Sequence, residues 1–100
     1  MPNTCPIVES IKIIGSKPRL LILRHLDGKN MGFNELKRAS KLSSRTLSLN
    51  LKFLLTRGII RKESDGNRVK YSLTQKGKDF YPIIAEIGKW GNKWEIYKQH

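Results

Sequence analysis

Arg45, Leu49 and Lys52 recur at helical spacing, so one face of a helix would present a guanidinium, an apolar side chain and an ammonium. Thr46 flanks that face on one side and Ser48 on the other. This is recognition chemistry rather than catalysis. Arginine, lysine and hydroxyl groups are donors to phosphate oxygens and to base edges. A solvated helix face usually mixes Glu with Lys, yet no acid occurs between Lys37 and Arg61. The competing reading is an ordinary basic surface helix.

Catalytic and metal chemistry find little support. There is no Gly-rich phosphate loop and no suggestive pair of carboxylates. Ser40, Ser43, Ser44 and Ser48 read as helix caps and phosphate donors, not nucleophiles. Cys5, His25 and His100 match no zinc spacing, so no metal and no cofactor are expected. His25 is expected on the outer face of its helix.

The elements that must position the basic face follow from the run FNELKRASKLSSRTLSLNLKFLLTRGII at residues 33–60. Leu47, Leu51, Leu54 and Leu55 form an apolar stripe opposite Arg45 and Lys52. Ser43 is placed to cap this helix, and Gly58 to end it in a left-handed conformation. A preceding helix, capped by Asn34 and running through Ser40, should turn Leu36 and Ala39 inward, with Lys37 and Arg38 in its last turn. Ile59–Ser64 and Arg68–Leu73 have strand character, joined by the hairpin signal Asp65-Gly66-Asn67. Helix, turn, exposed helix and hairpin, in that order, predict a winged helix-turn-helix.

The flanking segments are helical. Pro6 can open a first helix on which Ile7, Val8, Ile11 and Ile14 share a face, closed by Gly15. Ser16 caps a second, with Pro18 in its first turn and Leu20, Leu21, Leu23 and Leu26 apolar. Asp27 to Asn30 is a turn, and Met31 to Phe33 suits a very short strand. Thr74 caps a last helix whose stripe is Phe80, Ile83, Ile84, Ile87, Trp90 and Trp94. Pro82 should kink that helix or mark its true start.

One hundred residues make one domain with a modest core. The expected parts are a tail at 1–5, a helix-turn-helix at 33–57, a wing at 59–73 and a C-terminal dimerisation helix at 75–96. At 38% hydrophobic residues, a second copy would enlarge the buried core. A net charge of +12 suits nucleic acid better than an anionic membrane. No apolar run reaches transmembrane length, and no signal peptide is read at the N-terminus. A single cysteine excludes an internal disulfide and suits a reducing cytoplasm.

The chain resembles the HxlR-type branch of the MarR-like winged helix-turn-helix regulators over about residues 5–94. The resemblance is carried in order by Cys5-Pro6-Ile7, Ile14-Gly15-Ser16-Lys17, Leu21-Ile22-Leu23 with Leu26, Phe33 with Glu35-Leu36, and Leu42-Ser43 with Thr46-Leu47. It continues through Leu51-Lys52 with Leu54, Gly58-Ile59-Ile60-Arg61, Tyr71-Ser72-Leu73-Thr74 with Gly77, and Trp90-Gly91. It implies a transcription regulator, not an enzyme, that dimerises through its first and last helices. The departures are Gly15-Ser16-Lys17-Pro18, which lacks the family's tryptophan, Gly32 in place of an arginine, and a shorter, more basic wing with Lys70 at an acidic position.

The fold expected is therefore mainly α with a small β-hairpin (α+β). Its partners would be double-stranded DNA and a second copy, with no membrane and no metal. Lys37, Arg38, Ser43, Ser44, Arg45, Thr46, Ser48, Leu49, Lys52, Lys62, Asn67, Arg68 and Lys70 would meet DNA, with Arg68 at the hairpin tip and Lys62 and Lys70 on phosphates. Ile7, Val8, Ile11, Phe80, Ile83, Ile84, Ile87, Trp90 and Trp94 would form the dimer interface. Cys5 stands where some regulators of this type resemble redox or electrophile sensors, and a thiolate near a helix N-terminus is favoured; the other reading is an inert tail cysteine. The alternative function is a low-specificity, chromatin-like DNA-binding protein.

Overall fold

The computed structural model describes residues 5–98. Residues 1–4 of the expected tail, and His100, lie outside the described residues. The elements in order are α1 (Pro6–Ile14), α2 (Lys17–His25), α3 (Phe33–Ser40), α4 (Ser44–Thr56), β1 (Ile60–Asp65), β2 (Arg68–Leu73) and α5 (Gln75–Lys93).

The core lies where α2, α3 and α4 meet the base of the hairpin. Ile22, Leu23, Leu26, Leu36, Leu47, Leu51, Leu54, Ile59, Ile60 and Leu73 are buried together. The leucine stripe of α4 supplies three of these, and Leu55 packs on their edge. From α2 the buried residues are Ile22 and Leu23, whereas Leu20 and Leu21 are half-buried. Each fully buried Leu or Ile contributes about 1.5–3 kcal/mol. This small cluster thus fixes the frame on which α4 is displayed.

Caps decide where α4 begins and ends. The Ser43 hydroxyl accepts the Thr46 N–H at 3.1 Å, as expected. At the far end Gly58 takes φ +70. Its N–H reaches the Leu55 carbonyl, and the Ile59 N–H reaches that of Leu54, both at 3.0 Å, completing a Schellman closure. The turn between α3 and α4 depends on Lys41, a non-glycine residue at φ 60.

The third helix differs from the expected one. It starts at Phe33 with Gly32 as its cap, so Asn34 lies inside the first turn. The reason is Glu35, whose carboxylate accepts the Gly32 N–H at 3.0 Å. Ala39 is exposed rather than inward, and Ser40 is buried in its place. The Ser40 hydroxyl donates to the Leu36 carbonyl and accepts the Leu42 N–H, which makes its burial affordable. Ahead of α3, the expected short strand is a single antiparallel bridge between Met31 and Tyr71.

The hairpin pairs Ile60 with Leu73 and runs in register to Asp65 opposite Arg68. Its two-residue loop is Gly66-Asn67, and Gly66 takes φ +64, as a type II′ turn requires of its first residue. Thr74 then caps α5 by accepting the Gly77 N–H and donating to the Gly58 carbonyl. Gly77 sits against the Ile59 carbonyl so closely that a Cβ there would overlap it. The Tyr-Ser-Leu-Thr segment with its following glycine is thus one joint. Tyr71 bridges to Met31, Ser72 accepts Arg61 Nε, Leu73 enters the core, and Thr74 and Gly77 seat α5.

The structure decides between the two readings of Pro82 and corrects the C-terminal end of α5. The helix begins at Gln75 and carries Pro82 in its interior, so the proline does not mark its start. It ends at Lys93, short of 96, because Glu95 turns to φ 48. The Ile96 N–H then reaches back to the Gly91 carbonyl at 3.0 Å, a second Schellman closure.

Candidate nucleic-acid interface

The face of α4 opposite the core is open. Arg45, Ser48, Leu49 and Lys52 are exposed, and Thr46 is half-buried beside the cap. Leu49 keeps 56% of its surface accessible, which is unusual for a leucine between two cations and gives the face an apolar centre. Ser43 and Ser44 are exposed at the positive end of the helix dipole, where N–H groups favour an anion. Lys37 and Arg38 are exposed on α3.

The hairpin distributes its charges on two sides. Successive residues of a strand point to opposite faces. The register therefore sets Arg68 and Lys70 on one face with Arg61, Glu63, Asp65 and Ser72, and Lys62 on the other with Tyr71. Asp65 lies directly opposite Arg68, and Glu63 opposite Lys70. Lys70 is half-buried; Arg68, Lys62 and Asn67 are exposed.

Glu35 lies in the positive field of Lys70, Arg38 and Arg68. Its carboxyl is held below its ordinary value of 4.5, first by the Gly32 N–H bond and then by Lys70, Arg38 and Arg68. The first turn of α3 and the wing are thus joined by charge as well as by the Met31–Tyr71 bridge. Lys70 and Arg68 stand more than thirty positions from Glu35, so no local sequence pattern announces this electrostatic link.

Four other carboxylates, Glu9, Glu63, Glu86 and Glu95, are engaged in ion pairs. Among the described residues, ion pairs join Lys12 to Glu9, Arg61 to Glu63, Lys89 to Glu86 and Lys98 to Glu95. Three of the four lie on α1 or at the C-terminal end. Lys37, Arg38, Arg45, Lys52, Lys62, Arg68 and Lys70 take part in none of these four. Residues 33–73, which include α3, α4 and the wing, hold ten of the 20 Lys and Arg and three of the eight Asp and Glu, and α2 adds Lys17, Arg19 and Arg24 without an acid.

A second surface is apolar. Ile7, Val8 and Ile11 of α1 are exposed, as are Ile83, Ile87 and Trp90 of α5 and Trp94 at its C-cap. Phe80 and Ile84 differ from the rest of the expected stripe, being half-buried and packed on the chain's own core. Ile14, on the expected face of α1, is likewise buried. Ile96 and Tyr97, which sequence reading did not single out, add to the exposed apolar surface. Cys5 is an exposed free thiol at the N-cap of α1. His25, expected on an outer face, is half-buried. No helix among the described residues is long and apolar enough to cross a membrane.

Comparison with known proteins gives this arrangement its context. The profile of the HxlR-like helix-turn-helix family matches residues 13–99. The uncharacterized HTH-type transcriptional regulator YdeP of Bacillus subtilis (strain 168) is 36% identical over 96 residues, which span 91% of this chain and 74% of that protein. A structure described as a MarR-family transcriptional regulator from Porphyromonas gingivalis W83 superposes with TM-score 0.81 at 38% identity, covering 91% of this chain and 93% of the other. The redox regulator HypR in its reduced form superposes with TM-score 0.82 at 29% identity, covering 89% and 92%. These relatives are transcriptional regulators, not enzymes, and they share the winged helix. With a helix-turn-helix, a basic hairpin and a family match over most of its length, this chain belongs to the HxlR-like helix-turn-helix family of transcriptional regulators.

Proposed function

We propose that the protein binds specific double-stranded DNA sites as a homodimer, with α4 of each copy in a major groove. The observation that carries this is the exposed, acid-free face of α4. Arg45 is the side chain that reads a base, most readily guanine, through two parallel N–H bonds. Thr46, Ser48, Leu49 and Lys52 complete the reading face. Ser43, Ser44, Lys37 and Arg38 hold the backbone, and Arg68 and Lys70 of the wing, with Asn67 at its tip, flank the duplex; Lys62 makes a separate phosphate contact from the other hairpin face.

Dimerisation through α1 and α5 is supported by the exposed isoleucines and tryptophans, a larger apolar surface than a small monomer usually leaves open. Homodimerisation matches two copies of α4 to two half-sites. The parts then have separate roles: helix-turn-helix 33–57 and wing 59–73 toward DNA, α5 toward the second copy. Such a regulator works in the cytoplasm.

The test replaces Arg45 with Ala and measures affinity for a site enriched from genomic fragments and for random DNA. A loss of about 1–3 kcal/mol on the enriched site, and far less on random DNA, is expected. Equal losses on both reassign Arg45 to phosphate. A low-specificity, chromatin-like binder would show no enriched site at all.

A redox layer is favoured by one observation. Cys5 is an exposed thiol at the head of α1, beside the apolar face assigned to the second copy. Treatment with a thiol oxidant should change DNA affinity in the native protein and leave Cys5→Ser unaffected. An equal response in both removes Cys5 from regulation.

A further inference from the structure

Arg19 joins elements that sequence reading kept apart. Its Nη1 donates to the carbonyls of Lys12, at 2.9 Å, and Ile13, at 3.0 Å, in the last turn of α1. Those carbonyls belong to the helix end that lacks intrahelical partners, and a guanidinium there also meets the negative end of the dipole. Its Nε donates to Asn50 Oδ1 of α4 at 3.1 Å. Its guanidinium carbon lies over the Phe53 ring, 3.6 Å from the centroid, and that of Arg57 approaches the same ring at 4.7 Å.

The bonds continue along α4. Asn50 Nδ2 donates to the Thr46 carbonyl at 2.8 Å, which fixes the amide so that Oδ1 faces Arg19. The Thr46 N–H in turn donates to the Ser43 cap. An unbroken series therefore runs from α1 through Arg19, Asn50 and Thr46 to Ser43, where α4 begins. Little else ties α1 down: apart from Ile13 and Ile14, which reach the interior, its side chains are mostly exposed, and it has no extensive packing against another element.

We propose that Arg19 is a positioning residue that couples α1 to the DNA-reading end of α4. A change in how α1 sits, including one imposed by the second copy, is then transmitted to Thr46 and Ser43 through oriented hydrogen bonds. Lysine cannot replace it: a single ammonium lacks the planar fork needed to hold Asn50 and the α1 carbonyls together, and it stacks less well on Phe53. Arg19 does not itself touch DNA. The inference rests on the reading of α4 as the recognition helix.

The experiment compares native protein with Arg19→Lys, Asn50→Ala and the double variant. Affinity is measured for the enriched site and for random DNA, and amide resonances and hydrogen exchange of Thr46–Asn50 are followed without DNA. Arg19→Lys keeps the charge, so random-DNA affinity and its salt dependence should stay unchanged. Affinity for the enriched site should fall about three- to thirtyfold. The Thr46–Asn50 amides should shift and exchange faster, and the double variant should lose no more than the worse single one. Equal losses on both DNAs, multiplicative losses in the double variant, or undisturbed α4 amides would each overturn the coupling. Native protein without site preference, combined with disturbed amides in Arg19→Lys, would overturn the recognition-helix reading and leave the coupling intact. If Arg19→Lys does not fold, Asn50→Ala must by itself produce the enriched-site loss without a random-DNA loss, or the proposal fails.

Discussion

Replacing Ile87 with Asp separates dimerisation from folding. Ile87 is 53% exposed, whereas its neighbour Ile84 packs on the core, so the substitution spares the monomer's interior. Full burial of an isoleucine is worth about 1.5–3 kcal/mol, so covering the half still exposed is worth roughly 0.8–1.5 kcal/mol per copy. A two-fold interface counts this twice, giving about 1.6–3 kcal/mol, or a ten- to hundredfold weaker dimer at 1.4 kcal/mol per decade. Forcing a carboxylate into the apolar contact adds to the loss. Sedimentation equilibrium at micromolar concentration should show native dimer and variant monomer, with the helical circular dichroism of the variant retained. Tight site binding should disappear with the dimer, because only two linked copies engage both half-sites. A native monomer, or a variant that dimerises as tightly as the native chain, would refute the assignment of α5 to the interface.

Other perturbations test the joints and charges. Gly77→Ala should destabilise by about 1–3 kcal/mol and lower Tm by roughly 4–24 °C, since the new Cβ meets the Ile59 carbonyl. Gly88→Ala has open space in mid-helix and should stabilise by about 0.5–1 kcal/mol, so equal effects of the two in a melting curve would contradict the packing of α5. Arg68→Ala with Lys70→Ala should flatten the slope of log affinity against log salt by about 1.8, and an unchanged slope means the wing stands clear of DNA. The Glu35 carboxyl is lowered in the folded state, so its contribution is fully present above its ordinary value of 4.5 and is lost as pH falls through the folded value. Denaturation midpoints of native and Glu35→Gln proteins should therefore differ at pH 7 and converge on acidification; a constant gap would mean that Glu35 acts without its charge.

Local features were legible in the sequence. Ser43 and Thr74 cap the helices they were expected to cap, Gly58 takes the left-handed closure, and Gly66-Asn67 makes the hairpin turn. Each rests on a residue whose own backbone or side-chain preference decides the outcome. Features set by distant partners were not legible. Arg19 and Asn50 are 31 residues apart, so no periodicity links them. The start of α3 was set by the Glu35–Gly32 bond rather than by the better intrinsic cap, Asn34. The stripe of α5 read as one surface, yet the fold divides it: Phe80 and Ile84 turn to the core, and Ile83, Ile87, Trp90 and Trp94 stay open. Strand alternation, visible only once the register was known, placed Lys62 and Lys70 on opposite hairpin faces.

Sequence-specific reading by α4 is tested most directly by competition. Labelled DNA carrying the most enriched genomic site is held by the native protein at physiological salt, then challenged with unlabelled copies of the same site or with random DNA. The expected result is a preference of about a thousandfold or more for the site, with protection of two half-sites one helical turn, or a multiple of it, apart. A ratio near one, with affinity set only by salt, would contradict specific recognition and leave a basic, low-specificity DNA-binding protein.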